Sequence, residues 1–266
     1  MYKETRMSEV KITDGLIHKK RNIVEEKTIP YIRKALNNEL YGVEPSGAFE
    51  NFRIAAGESD RNFYGLVSQD SDVFKWMEAA SLSLQYENEE MQTYLEEAID
   101  LLDRAQQKNG YLNTYFTIKD PSKRWTNLKE GHELYTAGHM TEAAVAYYKA
   151  TGKTEFLDIM KKFADLICKT FGPDEGQIHG YPGHQEIELG LLRLYEVTGK
   201  ENYKDLARYF IEQRGKDPDY FVKERKKRGW VHFDMDVHNR EYNQAHATVY
   251  EQKEAVGHSV RAVYMY

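Results

Sequence analysis

Apolar residues recur at the spacing of an α-helix along most of the chain after its first quarter. In residues 73–85, Phe74, Met77 and Leu84 fall on one face, and in residues 91–107 the same spacing ends at the turn-forming sequence Lys-Asn-Gly. Alternating apolar and polar residues, which would indicate strands, are scarce. The pattern predicts a mostly α-helical chain, with helices in residues 73–85, 91–107, 132–153, 154–171 and 202–215, and a loop that opens into a further helix within residues 179–200.

The predicted helices repeat. Residues 146–164 and 193–211 align as an aromatic residue, a Thr-Gly-Lys turn and an amphipathic helix, at a period of 47 residues. Gly-His pairs at residues 138–139, 183–184 and 257–258 recur where we expect one helix of each pair to begin. Stacked helical hairpins form either an open solenoid or a closed α/α toroid whose inner helices line a cavity. No linker or low-complexity segment divides the chain into two domains.

The composition of the chain limits which partners and which cellular location we expect. The chain has 266 residues and a formal net charge of −6, which argues against nucleic acid or an anionic membrane as a partner. The basic run at residues 223–228 is expected to be a solvated loop or helix end. No segment is long and apolar enough to span a bilayer, and the polar amino terminus has no signal-peptide core, so we expect a cytoplasmic location.

The numbers and positions of the cysteine and tyrosine residues bear on which metal, thiol or sugar-binding site the chain could form. The single cysteine, Cys168, excludes an intramolecular disulfide and a cysteine-cluster metal site made by this chain alone. Its amphipathic outer helix predicts an inert, buried thiol. Many of the 20 tyrosines lie in or near the predicted loops 108–116 and 174–184. A sugar pocket uses flat apolar rings with polar tips, but tyrosines also lie half-buried where helices meet loops, and both interpretations stay open.

Six segments, in order along nearly the whole chain, carry a resemblance to a known family: IAAGE (54–58), GLVSQDSDVFKWMEAA (65–80), RAQQKNGYLNTYF (104–116), GHELYTAGHMTEAAVAYY (131–148), HGYPGHQEIELGLLRLYEVTGK (179–200) and AVGHSVRAVYMY (255–266). They resemble the amino-terminal part of glycoside hydrolase family 127, the β-L-arabinofuranosidase family. The resemblance implies a retaining hydrolase that acts on non-reducing-end β-L-arabinofuranosides, with an (α/α)6 toroid as its catalytic domain.

The resemblance implies three substrate-binding residues: His132, His184 and His258 match the histidines that contact the sugar in the family. A histidine at a helix amino terminus is expected to stay neutral, so that it donates one hydrogen bond and accepts another from sugar hydroxyls. The residues alone also allow a simpler role, in which each histidine satisfies local backbone groups. His139 and His179 are weaker candidates for the same site.

The sequence departs from the family at the catalytic centre. The family uses a cysteine nucleophile beside a zinc ion that is held by further cysteines and a glutamate. The resemblance therefore implies zinc as cofactor, but no segment here matches its ligands, and Cys168 lies outside any such motif. We expect residues 1–266 to form the amino-terminal portion of one truncated toroid, inactive by itself and prone to self-association through an exposed edge.

Carboxylates could act without a metal, as a general acid and a nucleophile, although the sequence shows no pair at the required separation. Ser71 or Asp72 is expected to cap the helix that follows. A zinc site built from His179, His184 and Glu186 or Glu188 fits no strong spacing template. The candidate carboxylates are Glu133, Glu142, Glu186, Glu188, Asp70 and Asp72.

Two functions remain compatible with the sequence. The first is a glycoside hydrolase similar to the β-L-arabinofuranosidases, with a small carbohydrate as its ligand. The second is a non-catalytic helical-repeat protein that binds a carbohydrate or a protein partner through the same loops.

Overall fold

The chain is described by a computed structural model that covers residues 9–84 and 88–266. These residues form helices and loops without a β-strand, and an isolated bridge joins Phe171 to Ile178. The all-α prediction is confirmed. In chain order the α-helices are α1 (Gly15–Ile23), α2 (Ile29–Leu36), α3 (Ala48–Ala55), α4 (Asp70–Ser83), α5 (Glu89–Ala105), α6 (Tyr115–Ile118), α7 (Glu133–Thr151), α8 (Glu155–Thr170), α9 (Ile187–Thr198), α10 (Glu201–Gln213), α11 (Tyr220–Arg228) and α12 (Ser259–Met265).

The helices form two layers. Helix α7 packs between α4 and α9, and α12 packs on α9, which places these four helices in an inner layer. Helices α5, α8 and α10 contact one another in sequence and cover the inner layer from outside. Each outer helix buries one apolar stripe, as the 3.6-residue spacing predicts; in α8 this stripe includes Phe156, Met160, Phe163 and Ile167.

The repeated Thr-Gly-Lys sequence ends an inner helix in the same way twice. Gly152 and Gly199 adopt left-handed backbone angles, with φ of 73° and 68°, at the carboxyl ends of α7 and α9. Each donates its N–H to a tyrosine carbonyl four residues earlier, at 2.8 Å. A side chain would strain this conformation, so glycine is required there. The predicted hairpins α7–α8 and α9–α10 follow directly.

The Gly138–His139 pair does not begin a helix, contrary to the prediction. Helix α7 starts at Glu133, so His139 lies inside it. Gly138 instead allows close approach of the next inner segment: a Cβ there would lie 2.5 Å from Cγ of Glu186 and 2.8 Å from the backbone nitrogen of Ile187. The recurring pair thus has a packing role at this position.

The predicted cap of the helix in residues 73–85 is also wrong. Helix α4 begins at Asp70, earlier than expected, and neither Ser71 nor Asp72 caps it. The buried carboxylate of Asp70 instead accepts hydrogen bonds from the backbone N–H and the hydroxyl of Thr114, at 2.7 and 2.5 Å. Asp70 therefore ties α4 to the loop before α6. The predicted last residue of this helix, Gln85, lies outside the described residues.

The basic run forms the end of α11. Lys223, Lys226 and Lys227 face solvent, as expected. The side chains of Arg228 and Glu224 are buried instead, and the Arg228 guanidinium lies 3.5 Å from the Glu224 carboxylate and 3.8 Å from that of Glu130. The prediction of a solvated helix end therefore holds for the lysines and is wrong for these two residues. Across the described helices, none has the length and apolar character needed to cross a membrane.

Candidate functional site

The three histidines predicted to bind substrate lie together at one end of the inner helices. The ring centroid of His184 lies 6.1 Å from that of His132 and 5.8 Å from that of His258. His132 immediately precedes α7, His184 lies in the loop before α9, and His258 immediately precedes α12. Residues far apart in sequence are therefore brought into one cluster by the stacking of neighbouring inner helices.

Each histidine is held through Nδ1, which fixes its hydrogen-bonding role. Nδ1 of His132 contacts the carbonyl of Glu130, and Nδ1 of His184 lies 2.7 Å from the carbonyl of Gln185. A carbonyl only accepts, so both rings carry hydrogen on Nδ1 and present Nε2 as an acceptor. Nδ1 of His258 instead accepts from the N–H of Arg261, at 3.4 Å, which leaves Nε2–H as a donor. The cluster offers two acceptors and one donor.

The environment favours the neutral form of all three rings. Burial, with the nearby Arg261 guanidinium acting in the same direction, lowers the pKa of His132 to about 4 and that of His184 to about 3. Burial and Arg261 lower the pKa of His258 as well. The expected neutrality is therefore present, but desolvation is its main cause, rather than the helix dipole. His184 does not cap α9, which begins three residues later at Ile187.

Buried polar groups fix the loop that carries His184. The carbonyl of Gly183 accepts from Asn243 Nδ2 at 2.6 Å and from an Arg261 guanidinium nitrogen at 3.1 Å. The carbonyl of Pro182 accepts from Arg214 at 2.7 Å. These bonds satisfy carbonyls that would otherwise be buried without partners. The ring of His184 is thus positioned before any ligand arrives.

Aromatic side chains that the sequence did not single out complete the wall of the site. The ring of Tyr135 lies 4.5 Å from that of His184 and 4.6 Å from that of His139. Tyr264 of α12 lies 5.9 Å from His184 on another side. Tyr135 precedes His139 by four residues on one face of α7, a spacing that could have identified it. Nothing local in the sequence marks Tyr264.

The enclosed space beneath the rings is small. A cavity of about 10 Å³, lined by Lys129, His132, Tyr135 and His184, has room for a single water molecule. His132, Tyr135 and His258 are only half-buried. A ligand larger than a water molecule would therefore contact the cluster from its open side.

A second polar group lies deeper between the inner helices. Nδ1 of His139 is 3.2 Å from Oε1 of Glu186, yet both ring nitrogens, Oε2 of Glu186 and Oε1 of Glu142 have no hydrogen-bond partner. Burial and the Glu142 and Glu78 carboxyls raise the pKa of Glu186 to about 8. Burial, with Glu78, raises the pKa of Glu142 to about 7. Glu186 is therefore largely protonated at neutral pH.

Three of the other candidate carboxylates already accept hydrogen bonds or pair with a cation, and the fourth is exposed. Glu133 accepts from the Tyr111 hydroxyl at 2.5 Å and from the Trp125 N–H at 2.7 Å, inside the core. Glu188 pairs with Arg214, and Asp70 accepts from Thr114. Asp72 is exposed. Among the candidates, Glu142 and Glu186 alone keep an unpartnered buried oxygen.

The described residues do not fit zinc. No group of three histidine, cysteine, aspartate or glutamate side chains is placed to hold a metal ion within residues 9–84 and 88–266. His179 is bonded to the carbonyl of Asp174 at 3.0 Å, in an exposed loop. Cys168 lies in the outer helix α8, 3.7 Å from the carbonyl of Asn202, and burial raises its pKa to about 12. We therefore derive no catalytic step through a metal or through this thiol.

Comparisons with known proteins identify relatives of the chain. It is 39% identical to a non-reducing end β-L-arabinofuranosidase of Bifidobacterium longum subsp. longum, over 96% of this chain and 42% of that protein. It is 56% identical to a GH127 β-L-arabinofuranosidase of Geobacillus stearothermophilus T6, whose crystal structure superposes with a TM-score of 0.91 over 96% of this chain and 40% of that one. The chain thus spans about two fifths of the length of these relatives.

Further structures share the fold. A GH127 β-arabinofuranosidase is 37% identical, with a TM-score of 0.82, over 97% of this chain and 38% of that one. Another glycoside hydrolase, 19% identical, has a TM-score of 0.62 and shows a likeness of fold alone. The family model described as the β-L-arabinofuranosidase GH127 catalytic domain matches residues 9–266. The chain belongs to glycoside hydrolase family 127.

Proposed function

We propose that the chain recognises a non-reducing-end β-L-arabinofuranoside, in the manner of its glycoside hydrolase relatives, and that His132, His184 and His258 contact the sugar. The observation that supports this proposal most strongly is the geometry of the three rings. The rings of His132 and His258 each lie about 6 Å from that of His184, and the three rings present two acceptors and one donor.

This arrangement suits a furanoside. Adjacent sugar hydroxyls each donate and accept one hydrogen bond, and neutral imidazoles of fixed tautomer match that pattern without the cost of burying a charge. The rings of Tyr135 and Tyr264 supply apolar surface beside the polar atoms. Since the surrounding loops are fixed by buried hydrogen bonds, little conformational entropy is lost on binding.

We further propose that these 266 residues bind the sugar without hydrolysing it. The resemblance to glycoside hydrolase family 127 implies a reaction that needs a cysteine nucleophile and a zinc ion. Cys168 lies on an outer helix with a pKa of about 12, so it is neither near the histidines nor ionised. The role of this chain's residues is then to orient the furanosyl ring and to exclude water from one of its faces.

The test is a calorimetric or NMR titration of the purified chain with methyl β-L-arabinofuranoside. We expect His132→Ala, His184→Ala and His258→Ala each to weaken binding about tenfold, because each removes one buried hydrogen bond. His179→Ala is the matched control, since the ring of His179 is exposed and is bonded to the carbonyl of Asp174. Binding that is unaffected by the three substitutions would refute the assignment.

Hydrolysis is measured in parallel, as release of 4-nitrophenol from its β-L-arabinofuranoside with and without added zinc. We expect no release above background under either condition. Turnover by the chain itself would refute the division between binding and catalysis, and would direct attention to Glu142 and Glu186, whose oxygens lack partners.

A further inference from the structure

The loop of residues 229–240, here called the rim loop, carries an exposed aromatic side chain to the edge of the histidine cluster. The ring centroid of Phe233 lies 6.0 Å from that of His132, and the two planes are nearly perpendicular, at 89°. Phe233 is 42% exposed. A large apolar side chain thus faces solvent directly beside a residue proposed to bind the sugar.

The rim loop is held rigidly by one buried residue. The carboxylate of Glu130, which is fully buried, accepts from the backbone N–H groups of His232, Phe233 and Met235, at 2.8, 3.4 and 2.9 Å. The backbone carbonyl of the same Glu130 binds Nδ1 of His132. Glu130 therefore fixes the position of Phe233 relative to His132, because a single residue holds both.

The backbone of the rim loop is strained at the next residue. Asp234 has a φ of 50°, in the left-handed region, and its carboxylate pairs with Arg225 at 2.5 Å. Such a conformation costs free energy and persists only where its surroundings enforce it. The ring of His232, one residue earlier, packs against Tyr115 at 5.6 Å. The loop thus packs the half-buried ring of His232 against Tyr115 and leaves the following ring, that of Phe233, exposed.

Core packing does not explain an exposed phenylalanine on a fixed, strained loop, whereas a ligand does. An aromatic ring on a backbone that is already held by hydrogen bonds binds the apolar C–H face of a sugar with little loss of backbone entropy. Because Phe233 lies beside His132 at the edge of the cluster, it is placed to contact whatever is attached to the bound arabinofuranosyl ring.

We propose that Phe233 forms a second subsite, a stacking platform for the sugar ring linked to the arabinofuranosyl unit. This subsite rests on the proposed function, since it adds to the sugar site at His132, His184 and His258. The subsite sets specificity for the group attached to the arabinofuranosyl unit. A ligand with a second sugar ring binds more tightly because that ring stacks on Phe233, whereas the methyl group of a methyl glycoside does not reach Phe233.

The test compares two ligands, methyl β-L-arabinofuranoside and a disaccharide with β-L-arabinofuranose at its non-reducing end, titrated into the whole chain. We expect Phe233→Ala to weaken disaccharide binding by roughly fivefold and to leave binding of the methyl glycoside unchanged. Phe233→Trp should retain the preference for the disaccharide. Val231→Ala is the control, because Val231 is similarly exposed, at 43%, on the same loop.

The outcomes separate the two proposals. If the wild-type chain binds both ligands and Phe233→Ala alters them equally or leaves both unchanged, the subsite is refuted and the sugar site stands. A wild-type chain that binds neither ligand refutes the proposed function, and the subsite with it. Loss of disaccharide affinity in Val231→Ala as well would show that the loop as a whole, rather than the Phe233 ring, is responsible, and would also overturn the subsite.

Discussion

Arg214 is the buried cation on which the position of the His184 loop depends most. Its guanidinium donates to the carbonyl of Pro182 at 2.7 Å, to the carbonyl of Asn243 at 2.9 Å and to Oε1 of Glu188 at 3.2 Å. The side chains of Arg214 and Glu188 are 1% and 5% exposed. Replacing Arg214 by methionine keeps most of the volume and removes all three bonds at once.

The expected cost follows from what remains. In Arg214→Met the carboxylate of Glu188 stays buried and keeps the backbone N–H of Glu186, at 3.1 Å, as a hydrogen-bond donor. Removing one partner of a buried ion pair costs about 3–5 kcal/mol of unfolding free energy. The double variant Arg214→Met/Glu188→Gln should lose about 1–2 kcal/mol less, because it no longer buries an unpaired charge.

Urea denaturation followed by circular dichroism measures these differences. The matched control is Lys223→Met, which breaks an exposed ion pair with Asp217 of 2.6 Å and should change stability by less than about 0.5 kcal/mol. If Arg214→Met costs no more than this control, or if the double variant is less stable than the single one, the reasoning is refuted. The single variant should also weaken sugar binding, since the loop of His184 is released.

Three further predictions concern pH, packing and the thiol. The pKa of Glu186 is raised from 4.5 to about 8, so the folded state retains a proton that the unfolded state has lost, and stability should fall as pH rises through that window. The pKa of His184 is lowered from 6.5 to about 3, so stability should also fall as pH drops below 6.5. Urea denaturation at a series of pH values should therefore place the maximum of stability between about pH 4.5 and 6.5, and a maximum above pH 8 would contradict this. Gly138→Ala should destabilise the chain by about 1–3 kcal/mol, although alanine favours helices, because its Cβ would meet the backbone of Glu186. In Gly190→Ala the Cβ would lie 3.0 Å from a carbonyl oxygen, so this variant should lose less stability. The reverse order of the two losses would refute the packing argument. Cys168 should react with iodoacetamide at pH 8 at least about tenfold more slowly in the folded chain than after unfolding, because burial raises its pKa; equal rates would contradict the assigned environment.

Much of the fold could be predicted from local pattern. The apolar spacing located α4, α5, α7, α8 and α10 to within a few residues and placed α9 inside a stretch whose first eight residues are loop. The repeated Thr-Gly-Lys sequence marked two turns that the structure closes with the same bonds, at Gly152 and Gly199. Such features depend on local backbone preferences, so the sequence carries them directly. The clustering of His132, His184 and His258 followed from resemblance to a family, together with the stacking of the hairpins.

The remaining features depend on tertiary contacts. The three Gly-His pairs are identical in sequence, yet Gly138 serves the close approach of Glu186, whereas Gly183 permits an approach to the backbone of Lys129. Likewise, Asp70 was expected only as one of several acidic residues and proved to be a tie to Thr114, 44 residues away. Contacts of this kind join segments distant in sequence, and no local signal specifies them.

The central claim is that the clustered histidines bind a sugar. The most direct measurement is an NMR titration of the chain, labelled at its histidine rings, with methyl β-L-arabinofuranoside. We expect the ring signals of His132, His184 and His258 to shift together along one binding curve, while those of His18 and His179 stay in place. Shifts confined to His18 and His179, or no shift at saturating sugar, would contradict the account.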